Sequence, residues 1–188
     1  MDPLRHLMLA PDSAARIDLV TDLAIPLVAA EGLVAATPRA IAELAGCTRQ
    51  AVHQWFGDQT GLRHVVANRF TGRWARWAEI RVHHYGVLGL LPDSPDVRDW
   101  TRVWLALAEA AGRDQTVAEC VAAGRATELD LVRARVGQTT ADAVHALVEG
   151  LRWRTAADSD DFPAARAVTI LASTLARLGP EGALGQLA

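Results

Sequence analysis

The sequence contains no lysine: all nineteen of its basic residues are arginine. Every cationic contact is therefore made by a planar guanidinium fork rather than by a compact ammonium. Cysteine is nearly as scarce. Cys47 and Cys120 stand in unrelated contexts with no second pair nearby, which argues against a zinc site and reads as two reduced packing residues rather than a disulfide. Long apolar runs are missing, since the longest, Leu23 to Ala30, holds Pro26 and ends at Glu31, far short of a membrane span. The opening residues place Asp2 and Pro3 before a brief apolar patch, which is not the layout of a signal peptide. A cytoplasmic protein with no membrane partner is the expectation. Strand signals are absent too, with no alternating run rich in Val, Ile, Thr and Tyr between hairpin dipeptides. Charge is not lopsided: the net value of −3 gives no bulk signal for nucleic acid.

What is present is apolar content and helical period. Apolar residues make up 51% of the 188, which excludes a disordered chain and suffices for a core. Ser13 is placed to cap a first helix with the stripe Ile17, Val20, Ala24, Leu27 and Val28, ended by Gly32; Pro26 inside it predicts a kink. Thr37-Pro38 opens a second helix in which Ile41, Leu44 and Ala45 face inward, and Gly46 is placed to stop it in a left-handed conformation. Thr48 then caps a third helix carrying Val52, Trp55 and Phe56 on one face. Two short helices joined by Gly46, Cys47 and Thr48 fit a helix-turn-helix.

Asp58 is placed to cap a long fourth helix to about His84, with Leu62, Val65, Val66, Phe70, Trp74 and Trp77 inward. The stretch "GVLGLLPDSPD" reads as a Gly/Pro-punctuated linker. Beyond it come a helix opened by Ser94-Pro95 with the stripe Val97, Trp100, Trp104, Leu107 and Ala111, and helices over about 114–136, 139–154 and 162–178. The final ten residues read as a tail. The predicted fold is all-α: an N-terminal three-helix helix-turn-helix domain, residues 1–58, followed by a helical domain, residues 59–188.

The third helix turns Arg49, Gln50, His53 and Gln54 outward, and no carboxylate occurs between Leu44 and Gly57. A helix that enters a DNA groove must keep one apolar face for its own bundle while offering side chains that reach base edges. Arginine can read guanine bidentately and glutamine can read adenine, whereas an acid facing phosphate would be repelled. The bland alternative is an ordinary solvated face.

Thr37 to Leu62, "TPRAIAELAGCTRQAVHQWFGDQTGL", resembles the DNA-binding segment of the TetR family of bacterial repressors, matching it at Thr37, Arg39, Ile41, Ala42, Ala45, Gly46, Thr48, Phe56 and Leu62. "AAEGLVAAT" and "VEGLRWR" are similar to two further stretches of that family. The resemblance implies phosphate contacts from Thr37 and His53, and a groove-facing set of Thr48, Arg49, Gln50 and Gln54. Gln59 stands where the family usually has lysine, His53 replaces tyrosine, and Asp58 lies near the expected phosphate path. From Ser13 to Phe70 five Arg face five Asp plus Glu, so counterion release is modest and affinity leans on dimer avidity. Arg63 and the start of the fourth helix are the expected compensation.

The resemblance also implies a ligand cavity among the central helices, for a small and mostly apolar effector. Of six tryptophans, Trp74, Trp77, Trp100 and Trp104 are candidates to line it, although each also fits its own helix's core stripe. Val144, Leu147, Val148 and Leu151 form one stripe, and the last helix carries Val168, Leu171, Leu175 and Leu178 among apolar positions spanning more than one face. Such a helix is covered either by the monomer or by a second copy, and the family's two-fold four-helix interface makes these eight residues the expected homodimer contact.

His83 and His84 point about 100° apart on a helix, so they do not chelate a metal from one face. The run "DSDD", residues 158–161, lacks the glycine and distal glutamate of a calcium loop and reads as helix capping. No glycine-rich phosphate loop, nucleophile elbow or helical H-E-x-x-H occurs, so neither an enzyme nor a cofactor is expected. The predicted function is a TetR-like regulator, a repressor relieved by a small molecule, that binds a near-palindromic double-stranded operator as a dimer. The rival is a TetR-like ligand- or protein-binding module without specific DNA binding.

Overall fold

A computed structural model describes residues 13–157 and 160–178. Among them are eight α-helices and no strand: α1 (Ser13–Glu31), α2 (Pro38–Ala45), α3 (Arg49–Phe56), α4 (Gln59–Tyr85), α5 (Pro95–Ala111), α6 (Gln115–Val136), α7 (Gln138–Ala157) and α8 (Ala164–Leu178). Two 3-10 turns, Leu33–Ala35 and Gly86–Leu90, follow α1 and α4. No described helix is long and apolar enough to cross a membrane. The expected tail, residues 179–188, lies outside the described residues.

The chain divides into two compact units, one of residues up to 71 together with 102–121, the other of 72–101 together with 122 onward. These units do not part at 58/59: α4 begins there, at Gln59, and stays in the first unit as far as residue 71, and the turn from α5 to α6 bonds back to that part of it. Asp114 in that turn accepts from His64 of α4 with 3.0 and 2.9 Å to its two oxygens. Asp114 also caps α6, taking the amides of Thr116 and Val117. The His64 bond, followed by the Val117 amide, holds its carboxyl below the usual range.

In the first unit α1 buries Val20, Ala24 and Val28, with Pro26 on its exposed side. Thr21 is buried on the same face because its hydroxyl donates to the Ile17 carbonyl at 2.8 Å. Arg69 of α4 grips Asp18 of α1 through two bonds of 2.5 and 2.6 Å. The core continues through Ile41, Val52, Leu62, Phe70, Trp104 and Leu107.

In the second unit the expected linker is a core element. Val87, Leu90 and Leu91 are fully buried against Val132, Val148, Leu171 and their neighbours. The glycines and prolines of this stretch signal a turn, but three large apolar side chains in one short segment must be buried, and a 3-10 turn aims them inward. Phe162 seals the α7–α8 connection, with Arg154 and Arg166 over its ring. Of the acidic run, Asp158 and Ser159 lie outside the described residues, Asp160 and Asp161 are exposed, and α8 has no acid in its first turn. The described residues of the run, Asp160 and Asp161, precede Phe162 and Pro163 and so lie outside the first turn of α8.

Candidate functional site

The two helices of the helix-turn-helix are eight residues each, too short to persist alone in water. Their ends and their buried sides hold them. Thr37 Oγ1 accepts from the Ala40 amide and Thr48 Oγ1 from the Ala51 amide, each at 3.1 Å; such caps contribute about 1 kcal/mol apiece. Gly46 adopts φ 64, ψ 31, so its amide reaches the Glu43 carbonyl while that of Cys47 reaches Ala42. This double closure stops α2 and turns the chain into α3. Ile41, Ala42 and Ala45 on α2, and Val52 and Phe56 on α3, are buried, while Leu44 is exposed. Each large buried side chain contributes about 1.5–3 kcal/mol, so the anchors outweigh the caps.

Trp55, expected inward, is only half-buried: it meets the Phe56 ring edge-on, with the Arg16 guanidinium over its face.

Opposite this anchored side, Arg49, Gln50, His53 and Gln54 are all exposed. Thr48 is exposed as well, and because its oxygen accepts from Ala51 its O–H remains a donor. Thr37 is half-buried. Arg39 is engaged by Glu43 at 2.9 Å on the surface of α2. Asp58 spends an oxygen on the Gly61 amide at 2.9 Å as the cap of α4, where the helix dipole offsets its charge.

Two expected phosphate contacts are drawn elsewhere. The Arg63 guanidinium donates to the Val34 carbonyl at 2.7 Å, and Gln59 Nε2 reaches the same oxygen at 3.5 Å. Both tie α4 to the turn before α2, because that carbonyl lies beyond the end of α1 and needs a donor.

Gly61 is a positioning residue that periodicity does not single out. A β-carbon there would sit 2.3 Å from the Phe56 carbonyl oxygen, so only glycine lets the first turn of α4 approach the end of α3. Gly61→Ala is expected to cost about 1–3 kcal/mol through forced backbone movement, lowering Tm by roughly 2–12 °C. A melt indistinguishable from that of the unchanged protein would refute this.

The second unit contains a charged cluster inside its core. Glu128 of α6 is fully buried and receives Trp74 Nε1 at 2.7 Å, His145 Nε2 at 3.2 Å and an ion pair with Arg152 at 2.9 Å. Arg152 is 1% exposed and lies 5.2 Å over the Trp74 ring, which in turn packs on Trp77 at 4.9 Å. Burial alone would push the Glu128 carboxyl up, but the Arg152 charge, aided by the bonds from His145 and Trp74, holds it at about 2. All three guanidinium nitrogens of Arg152 lack a hydrogen bond of good geometry. The sequence carries a trace of this cluster: Glu128 stands in register with Val117, Val121 and Val132, and Arg152 one turn after Val148. A charge at a core position was the available signal.

Of the four tryptophan candidates, Trp74, Trp77 and Trp100 belong to the second unit and Trp104 to the first. Trp74 and Trp104 are buried; Trp77 and Trp100 are half-buried. The expected dimer stripe is largely covered by the chain itself. Val144, Val148, Leu151, Leu171 and Leu175 lie in the core of the second unit, since α7 and α8 turn these sides toward Val87, Leu90 and Val132. Leu147 is half-buried, and Val168 and Leu178 are exposed. His83 and His84 are exposed at the end of α4.

Compared with known proteins, residues 84–180, just over half of the chain, match the family model of the C-terminal part of BetI-type transcriptional repressors. The chain belongs to the TetR family of transcriptional regulators. Solved TetR-like structures share its all-α fold. A transcriptional regulator from Rhodococcus sp. Rha1 superposes with a TM-score of 0.74 at 16% identity, covering 86% of this chain and 95% of that one. A TetR-family member from Streptomyces coelicolor A3 gives 0.64 at 22% identity, covering 90% and 99%. A TetR-family regulator from Rhodococcus sp. gives 0.69 at 20% identity, covering 87% and 97%. No curated protein matches this chain. At these identities the structural likeness speaks for the TetR fold, and the residues of this chain must speak for its partners.

Proposed function

We propose that this TetR-family chain is a cytoplasmic, homodimeric DNA-binding regulator, a repressor relieved by a small, mostly apolar molecule. In this reading residues 1–58 bind DNA, and residues 59–188 bind the ligand and pair the subunits. The observation that carries it is α3: a short helix held by a threonine cap and two buried anchors, presenting Arg49, Gln50, His53 and Gln54 to solvent without an acid. Thr48, Arg49, Gln50 and Gln54 face the groove and its base edges, while Thr37 and His53 supply donors for the DNA backbone. Arg63 and Gln59 act at one remove, by holding the turn before α2.

The test is to select bound fragments from the source genome with the purified protein at low salt, beside an Arg49→Ala, Gln50→Ala double variant. Recovery of a near-palindrome by the unchanged protein alone is expected. Equal, diffuse recovery by both would establish the second reading, a binding module without sequence-specific DNA contact. The neutral balance of charge from residue 13 to 70 favours that alternative.

Pairing through α7 and α8 is supported by what the chain leaves uncovered. Thr139, Ala143, Ala146, Gly150 and Trp153 are exposed at alternating four- and three-residue spacing on α7, and Val168 and Leu178 are exposed on α8. Small side chains allow two helices to approach closely, and Trp153, 55% exposed, supplies a large anchor. Trp153→Asp with Val168→Asp is expected to shift the protein from dimer to monomer in light scattering, with the helical signal retained. A dimer of unchanged strength would move the interface elsewhere.

The effector would lie beside Trp74, Trp77 and Trp100 of the second unit, with Arg152, Glu128 and His145 of the same unit as its polar groups. Its binding alters DNA affinity only by as much as it prefers one conformer over another.

A further inference from the structure

The first unit holds a half-open cavity of about 360 Å3 at the end of α1 and the end of α5. Its apolar floor includes Leu33, Val34, Ala106 and Ala110. Five charged residues line it, and they are not equivalent. Asp114 is fully engaged, by His64 on both oxygens and by the Thr116 and Val117 amides. That leaves two acids, Glu31 and Glu109, both exposed, and two guanidiniums, Arg63 and Arg113. Arg63 gives one N–H to Val34, while its Nε is shut off from solvent without a hydrogen-bond partner.

Two negative and two positive groups around one small cavity select by charge. An uncharged apolar occupant would strip water from all four and return no hydrogen bond. A singly charged occupant satisfies one pair and is repelled by the other. A molecule carrying both signs on a short apolar body satisfies both pairs and covers the floor. The volume corresponds to roughly a dozen waters, which suits something of amino-acid size.

We propose that this cavity is an effector site, separate from the tryptophan cluster, for a small zwitterion of amino-acid type, its ammonium toward Glu31 and Glu109 and its carboxylate toward Arg63 and Arg113. The site bears on the helix-turn-helix through Arg63. Its bond to the Val34 carbonyl ties α4 to the turn that leads to Thr37, and a ligand carboxylate competes for that guanidinium with a stronger, charge-assisted bond. Occupancy therefore loosens the entry to α2. Binding itself does not depend on the DNA reading; the effect on DNA does.

The experiment titrates the full chain, without DNA, against each standard amino acid by calorimetry and ligand-observed NMR. For the best binder it adds the corresponding amide, which lacks the anion, and the des-amino acid, which lacks the cation; for leucine these are leucinamide and isocaproate. The expected result is millimolar or tighter binding by at least one amino acid, weakened about tenfold or more in either analogue, as loss of a charge-assisted bond requires. Glu109→Gln with Arg113→Gln, two exposed positions, should weaken it similarly with Tm unchanged. Ala110→Phe, which fills the floor, should abolish it. Absence of binding across the set, equal binding of the single-charge analogues, or binding indifferent to both variants would overturn the proposal. A gel shift with and without the bound amino acid then reads the effect on DNA separately.

Discussion

Glu128→Gln is expected to destabilise the protein by about 3–5 kcal/mol, because it leaves the Arg152 guanidinium buried without its counter-charge. For a chain of this size that corresponds to a fall in Tm of roughly 6–20 °C. The amide nearly preserves shape, so lost packing does not account for the effect. It can still accept from Trp74 Nε1, now at 2.7 Å from the carboxylate, which separates the loss of charge from the loss of a hydrogen bond. Replacing the pair together, Glu128→Leu with Arg152→Met, should recover most of the stability, since a matched apolar pair avoids desolvating either ion. A double-mutant cycle followed by urea melts measures the difference directly. If the single and double variants are equally unstable, the pair does not act as a unit.

The same group sets an acid limit. Its carboxyl is held at about 2 in the folded state, below its ordinary value of 4.5. The folded protein thus binds this proton less readily than the unfolded chain. The resulting stability is complete above pH 4.5 and is lost as pH falls from there toward 2. Melts between pH 5 and pH 3 should show a steeper decline for the unchanged protein than for Glu128→Gln, which has no proton to take up at this site. Parallel declines would place the acid sensitivity in other carboxylates.

On DNA, the Arg49→Ala, Gln50→Ala variant is expected to lose roughly 30-fold to 10⁴-fold in affinity for the selected site. Each base-edge contact contributes about 1–3 kcal/mol, and 1.4 kcal/mol is a factor of ten. Both side chains are exposed, so stability should change by no more than about 0.5 kcal/mol. The salt dependence assigns the contacts. If Arg49 reads a base, the slope of log affinity against log salt is preserved while discrimination among sequences collapses. If it meets phosphate, the slope falls by about 0.9 per contact and discrimination survives. Unchanged affinity and discrimination together would remove α3 from the interface.

Local chemistry made much of the first unit legible in advance. Thr37 before Pro38, Gly46 at the end of α2 and Thr48 before α3 each have one economical use, and each is used that way: two caps and one left-handed stop. The outward set Arg49, Gln50, His53 and Gln54 follows from the same helical period that buries Val52 and Phe56. These outcomes depend on neighbours within four residues, which is the range over which a sequence can be read directly.

Only tertiary structure decided the rest. The apolar stripe of α7 and α8 is visible in sequence, but whether a second copy or the chain's own 86–91 turn covers it depends on a partner tens of residues away. Arg63 carries the same charge whether it faces phosphate or the Val34 carbonyl, 29 residues distant. Gly61 looks like a weak spot in a helix until Phe56 stands against it. Glu128 and Arg152 stand at core positions of their helices, but which charge each meets there is set only when burial removes water and leaves each as the other's counter-ion. By itself the sequence determined the all-α elements, the threonine caps of α2 and α3, and the acid-free outward face of α3. Which groups meet across the chain was decided by packing, because a long-range contact is satisfied only when both of its partners have been brought to one place.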